Sequence, residues 1–236
     1  MTTRPTVLLH GFASSFAHGW VRYGWVELLG DEGAEAVAVE LPGHGARVGE
    51  PVGDAAGFLT GTAARLAPHG EVDAVGFSAG ALVLLRLAAH APGLFRRIVL
   101  IGVGDAMLAG AAEQTRAIER ALDEVSGTRG EGTGAREDAP GASRSSWHRL
   151  VAAGHNSPDG LRAFTRSGLT DLSGTDLGQI RAEALFLTGS RDPAGTPDSL
   201  VAAVGGARFA SVPGVDHFGA PGDPAVMGHV LDFLTR

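Results

Sequence analysis

The chain has 236 residues, 44% of them apolar and 19% charged, with a formal net charge of −7, a balance expected of one soluble globular domain with a sizeable core. It contains no cysteine and no lysine, since all 19 basic residues are arginine, which excludes disulfides, thiolate metal sites, cysteine nucleophiles, Schiff bases and a phosphate-binding P-loop. The acidic balance with dispersed arginines argues against nucleic acid or an anionic membrane surface as a partner.

Residues 6–10 form a short apolar run closed by Gly11, read as a strand with a loop behind it. So little chain precedes this strand that no signal peptide fits, and a cytoplasmic protein is expected. The spacing over 21–29 predicts a helix with Val21, Trp25, Leu28 and Leu29 on one face, ended by Gly30 and Gly33. A second strand over 36–41 stops at Pro42-Gly43-His44-Gly45. A helix over 55–67 follows, with Asp54 as its N-cap and Pro68 at its end. Residues 72–77 read as a buried strand and 79–90 as a helix, interrupted by Arg86 and so no membrane span. Further strands are predicted over 97–102, 182–188 and 207–212, with helices over 196–204 and 224–234. Strands that are apolar on both faces and alternate with helices are the mark of a parallel sheet covered on both sides.

The alternation stops between about residues 105 and 175. Residues 107–125 look helical, with Glu113, Arg116, Glu119, Arg120, Asp123 and Glu124 mostly on one side. Residues 127–141 are Gly-rich and charged and read as a mobile loop. Two more short helices are expected over 145–154 and 159–168. The segment is too small to fold alone. One domain over 1–236 is therefore expected, with a lid insertion at about 105–175.

Gly76-Phe77-Ser78-Ala79-Gly80 stands between a strand and a helix, the context that a G-x-S-x-G nucleophile elbow requires. So sharp a turn strains Ser78 and requires small residues two places before and two after it. It also leaves the hydroxyl at a helix N-terminus, where unpaired N–H groups can receive negative charge. A serine hydroxyl needs a base, and the base needs an acid to fix its tautomer. His217 follows the last strand and Asp192 the one before it. The order Ser78, Asp192, His217 is that of the α/β-hydrolase fold, and all three follow the carboxyl ends of strands, where ligands bind in open α/β sheets.

Over nearly its full length the chain resembles the α/β-hydrolase superfamily, and small capped esterase-like members in particular. The likeness rests on His10-Gly11-Phe12, Leu41-Pro42-Gly43-His44-Gly45, the elbow, and Arg191-Asp192 with Asp216-His217. It implies a mostly parallel sheet of about six or more strands with a helical lid. It also implies an oxyanion hole made of the backbone N–H groups of Phe12 and Ala79. The implied activity is a serine hydrolase cleaving an ester, thioester or related acyl bond of a small apolar substrate. No cofactor is implied, and with few carboxylates near the histidines no metal site is expected.

His10 is expected to order the oxyanion loop and the Gly43-His44-Gly45 turn to be structural. His18 either faces substrate or is solvated. Asp105 is the second candidate acid, since some members draw the acid from that position, and Asp216 reads as a turn residue. Trp20, Met107, Leu108, Trp147, Phe164 and Phe218 are expected to line an apolar pocket, with Trp25 in the core. His155 with Asn156 is placed to reach the pocket from the lid. The same triad also serves C–C bond hydrolysis, perhydrolysis and non-hydrolytic cyclisation or elimination, and the scaffold can serve as a catalytically inert binding module.

Overall fold

The computed structural model describes residues 4–130, 145–153 and 156–236. Six parallel strands form one sheet: β1 (Thr6–Leu9), β2 (Ala36–Val39), β3 (Val72–Phe77), β4 (Phe95–Ile101), β5 (Glu183–Gly189) and β6 (Arg208–Val212), in the order β2-β1-β3-β4-β5-β6. Among the described residues ten helices accompany them: α1 (Phe16–Gly19), α2 (Trp25–Asp31), α3 (Ala55–Leu66), α4 (Ala79–His90), α5 (Asp105–Ala109), α6 (Ala111–Gly130), α7 (Ser146–Ala152), α8 (Pro158–Arg166), α9 (Asp198–Ala203) and α10 (Pro224–Thr235).

Side chains alternate across a strand, and here both faces are covered. Val7 and Leu9 of β1, Ala74 of β3, Ile98 and Leu100 of β4 and Phe186 of β5 pack into one core with α3, α4, α6 and α8. Leu8, Val75, Val99, Ile101, Leu185 and Leu187 face the other way, onto Trp25 and Leu29 of α2 and Val226, Val230 and Phe233 of α10. The continuous apolar runs of the sequence thus feed two cores rather than one.

Helix starts follow the capping chemistry of the sequence. Asp54 accepts from Gly57 N (2.7 Å), Ser145 from His148 N (3.1 Å) and Asp223 from Ala225 N (2.8 Å). Two helices differ from expectation. The segment over 21–29 divides at Gly24, whose φ of 81° ends a 3₁₀ turn (Val21–Tyr23) before α2 starts. The break resets the helical phase, so Trp25 and Leu29 are buried while Val21 is exposed. The segment expected over 107–125 divides at Gly110 into α5 and α6, and α6 runs on to Gly130. The Gly-rich stretch expected to start its loop at Gly127 is therefore helical at its beginning, and residues 131–141 lie outside the described residues.

Helices α5 to α8 enter between β4 and β5. Strand order reverses at β1: the chain steps out to β2, returns across β1 to β3 and then proceeds to β6. Loops leaving β1 and β3 consequently diverge, opening a crevice at the carboxyl edge where open α/β sheets bind ligands. Among the described residues no helix is long and apolar enough to cross a membrane.

Candidate active site

The elbow is built from backbone clearance. Ser78 has φ 52° and ψ −117°, a strained conformation for a residue with a side chain. A Cβ on Gly76 would lie 2.7 Å from Ala81 Cα and 2.8 Å from Gly80 O, across the turn. A Cβ on Gly80 would instead overlap the carbonyls of Leu9, the last residue of β1, and His10, which follows it. The two glycines are thus required for different contacts, one within the turn and one against the neighbouring strand.

Ser78 Oγ lies 3.0 Å from His217 Nε2. His217 Nδ1 lies 3.0 and 2.9 Å from the two carboxylate oxygens of Asp192, whose Oδ1 also accepts from Ala194 N at 2.8 Å. Because Asp192 can only accept, Nδ1 carries the proton and Nε2 is left to accept from the serine hydroxyl. The Asp192 side chain is fully buried and that of His217 is 13% exposed. The loops that hold them are joined: Arg191 N donates to Val215 O (3.0 Å) and Gly214 N to Ser190 Oγ (2.9 Å). Gly102, at the end of β4, leaves room for the imidazole, since a Cβ there would lie 3.1 Å from His217 Cε1.

Asp105 is turned elsewhere. Its carboxylate accepts from Ser199 N (3.0 Å) and Ser199 Oγ (2.6 Å) at the start of α9. Asp216 accepts from Gly219 N at 2.8 Å, a turn contact as expected.

The Phe12 and Ala79 amides donate to no other group among the described residues. Phe12 precedes Ala13, whose φ is 55°. The Phe12 ring is held by Trp147, Phe164 and His44 at centroid distances of 6.0, 6.2 and 5.7 Å. His10 Nδ1 donates to Gly11 O (2.8 Å), and its Nε2 lies 2.8 Å from Glu40 Oε2 and 3.2 Å from Leu41 N. Leu41 N donates to Nε2 and the Glu40 carboxylate lies against the same nitrogen, so His10 ties the loop after β1 to the residues that follow β2. Burial raises the Glu40 carboxyl, but His10 and the Phe16 and Ala46 amides outweigh it and hold that carboxyl below its usual value. His44 is buried, donates from Nδ1 to Pro42 O (2.9 Å), and is lowered to about 3 by burial first and the charge of His10 second.

Among the described residues, two cavities flank His217. One of about 340 Å³ is walled by Ala106, Met107, Trp147, Pro193, Ala194 and Phe218. The other, of about 270 Å³, contains Ser78 and is walled by Phe12, His18, Arg22, Tyr23, Trp147 and Phe218 among others. Met107, Trp147 and Phe218 line these cavities, and His18, 3.0 Å from Ser15 Oγ through Nδ1, faces the second. Trp20 does not. It is fully buried edge-on against Trp25, at 5.2 Å, in the core under α2 and α10. Leu108 packs on the opposite core, where Phe164 is also buried. His155 lies outside the described residues. Asn156 holds loops together instead of reaching into a cavity: its Oδ1 accepts from Gly45 N (2.9 Å) and its Nδ2 donates to Ser14 O (3.1 Å). Glu40 carried no signal in the sequence and Asn156 was expected at the pocket, because the partners of both are set by the fold. No group of three His, Asp or Glu among the described residues is placed to hold a metal ion.

A model of the alpha/beta hydrolase family matches residues 6–227. The chain belongs to that family. Structurally this α/β hydrolase is similar to a carboxylesterase of the thaumarchaeon Nitrososphaera gargenis, with TM-score 0.70 and 18% identity over 98% of this chain and 89% of that one. A thermophilic esterase of Thermogutta terrifontis gives 0.69 and 21% over 99% and 90%. A bromoperoxidase of Bacillus anthracis gives 0.67 and 20% over 100% and 93%. At these identities the likeness is one of fold. No curated protein matches the sequence of this α/β hydrolase.

Proposed function

We propose that this α/β hydrolase is a serine hydrolase that cleaves an ester, thioester or related acyl bond of a small, largely apolar substrate through an acyl-enzyme. The observation that carries the reading is the contact of Ser78 Oγ with His217 Nε2 at 3.0 Å, above a buried Asp192 at 2.9 Å from Nδ1. An inert binding module has no use for a buried carboxylate that orients an imidazole toward a strained serine.

In the first half-reaction Ser78 Oγ attacks the acyl carbon while His217 Nε2 takes its proton, and Asp192 stabilises the imidazolium. The oxyanion sits between the Phe12 and Ala79 N–H groups, donors that need no reorganisation because nothing else occupies them. Collapse breaks the bond to the leaving group, which takes the proton from His217. Water, deprotonated by the same imidazole, then releases the acid and restores Ser78. The helices between β4 and β5 act as a cap, with Trp147 reaching over both cavities.

A panel of p-nitrophenyl acyl esters of graded length, run beside acyl thioesters, tests this. Turnover that rises with chain length and vanishes in Ser78→Ala supports it. Absence of turnover on every member overturns it.

A further inference from the structure

The two cavities beside His217 differ in charge. The one walled by Ala106, Met107, Trp147 and Ala194 has, among the described residues, no ionisable wall other than His217 itself. The one containing Ser78 carries Arg22, and among the described residues no aspartate or glutamate lines it. Arg22 forms no ion pair with any described residue; its guanidinium lies 5.8 Å from the Tyr23 ring centroid. That cation–π contact holds the head group without consuming its N–H donors. The residue sits in the 3₁₀ turn Val21–Tyr23, on the stretch that follows β1 and also carries Phe12. In a chain of net charge −7 an anion meets a general repulsion, so the exposed Arg22, a cation without an ion pair among the described residues in the wall of the cavity that contains Ser78, is a local attraction.

We propose that Arg22 is a specificity-determining residue that binds a carboxylate of the substrate, and that the substrate is an amphiphilic acyl compound. Its apolar part fills the cavity of about 340 Å³ and its carboxylate the one of about 270 Å³, with the scissile bond at Ser78 between them. A planar guanidinium offers two parallel N–H donors that match a carboxylate better than an ammonium would. The inference rests on the acyl-transfer reading for the position of the scissile bond, but the binding it requires does not depend on turnover.

Calorimetry therefore comes first, with hexanoate and hexanamide as a matched pair. Hexanoate is expected to bind the wild-type protein roughly tenfold or more tighter than hexanamide, the scale of a hydrogen bond to a charged group. Arg22→Ala should remove that difference, Arg22→Lys should restore part of it, and added salt should shrink it in the wild type only. Equal binding of the two compounds, or a difference that survives in Arg22→Ala, overturns the proposal.

The second readout is kcat/KM for p-nitrophenyl pentanoate, for the mono-p-nitrophenyl ester of glutaric acid, and for 3-carboxy-4-nitrophenyl butyrate. The last two place the carboxylate on the acyl and the leaving-group side. One of the two is expected to be preferred over the neutral ester in an Arg22-dependent way. If the neutral ester is turned over through Ser78 but neither carboxylate is preferred, the Arg22 assignment fails while the acyl-transfer reading stands. If turnover does not depend on Ser78, the acyl-transfer reading fails and calorimetry alone decides for Arg22.

Discussion

Ala13 and Ser78 are the two non-glycine residues with positive φ among the described residues, at 55° and 52°, and each adjoins an amide without a partner. Ala13 follows Phe12 in the loop after β1, and Ser78 precedes Ala79 in the loop after β3. Backbone strain of about 1–3 kcal/mol at each persists because packing enforces it: the aromatic cluster around Phe12 on one side, Gly76 and Gly80 on the other. Ala13→Val, with a branched Cβ in the same conformation, is expected to misdirect the Phe12 N–H and lower kcat by ~10². Ala13→Gly should stay within about 1 kcal/mol of wild type in stability, since glycine adopts this conformation freely. Steady-state kinetics beside thermal unfolding checks both. Wild-type kcat in Ala13→Val would show that the loop does not aim a functional donor.

The two candidate acids separate cleanly. Asp192→Asn should lower kcat by up to ~10⁴, because an amide at Nδ1 favours the wrong imidazole tautomer. Asp105→Asn should leave kcat within a few-fold and instead cost about 1 kcal/mol of stability through weakened contacts to Ser199. A reversed ranking would give the acid role to Asp105.

Much of this was legible in the sequence, and the exceptions share a cause. The central strands could be read because their apolar runs are buried on both faces, as a covered parallel sheet requires. The approach of Ser78, Asp192 and His217 could be anticipated because each follows the end of a strand. The break at Gly110 and the phase shift at Gly24 were hidden because a glycine inside a periodic stretch looks the same whether or not its backbone turns. Trp20 was misplaced for a similar reason: a loop tryptophan has no periodicity to say which way it points, and here it points into the core. Asn156 was invisible as a bridge because its partners, Gly45 and Ser14, are 111 and 142 residues away along the chain.

Elbow clearance gives a stability test. Gly80→Ala sets a Cβ against the Leu9 and His10 carbonyls at the end of β1 and is expected to cost about 2–3 kcal/mol. Gly93→Ala, where nothing lies within 4 Å, should be close to neutral. Denaturant unfolding of the pair decides it, and equal midpoints would mean that β1 and the elbow are not in rigid contact.

His44 makes the fold acid-sensitive. Its pKa is lowered to about 3 in the folded chain and returns to the ordinary value of 6.5 on unfolding, so the unfolded state binds one more proton between those limits. Stability therefore rises with pH across that window and falls as pH drops from 6.5 toward 3, by about 1.4 kcal/mol per unit for one proton. Glu40, held below its usual value, adds loss of the same sign at the acid end. His44→Gln should flatten the dependence near pH 5–6, where the Glu40 contribution is still complete. An unchanged slope there would assign the acid sensitivity to other groups.

The central assignment is Ser78 as nucleophile, and the most direct measurement is mass-spectrometric mapping of a fluorophosphonate adduct, with Ser78→Ala as the partner sample. The expected result is one adduct on Ser78 in the wild type, none in Ser78→Ala, and ester turnover in that folded variant below about a hundredth of wild type, given ~10⁶-fold losses when a triad serine is removed. An adduct on another residue, or turnover in Ser78→Ala above that level, would contradict it.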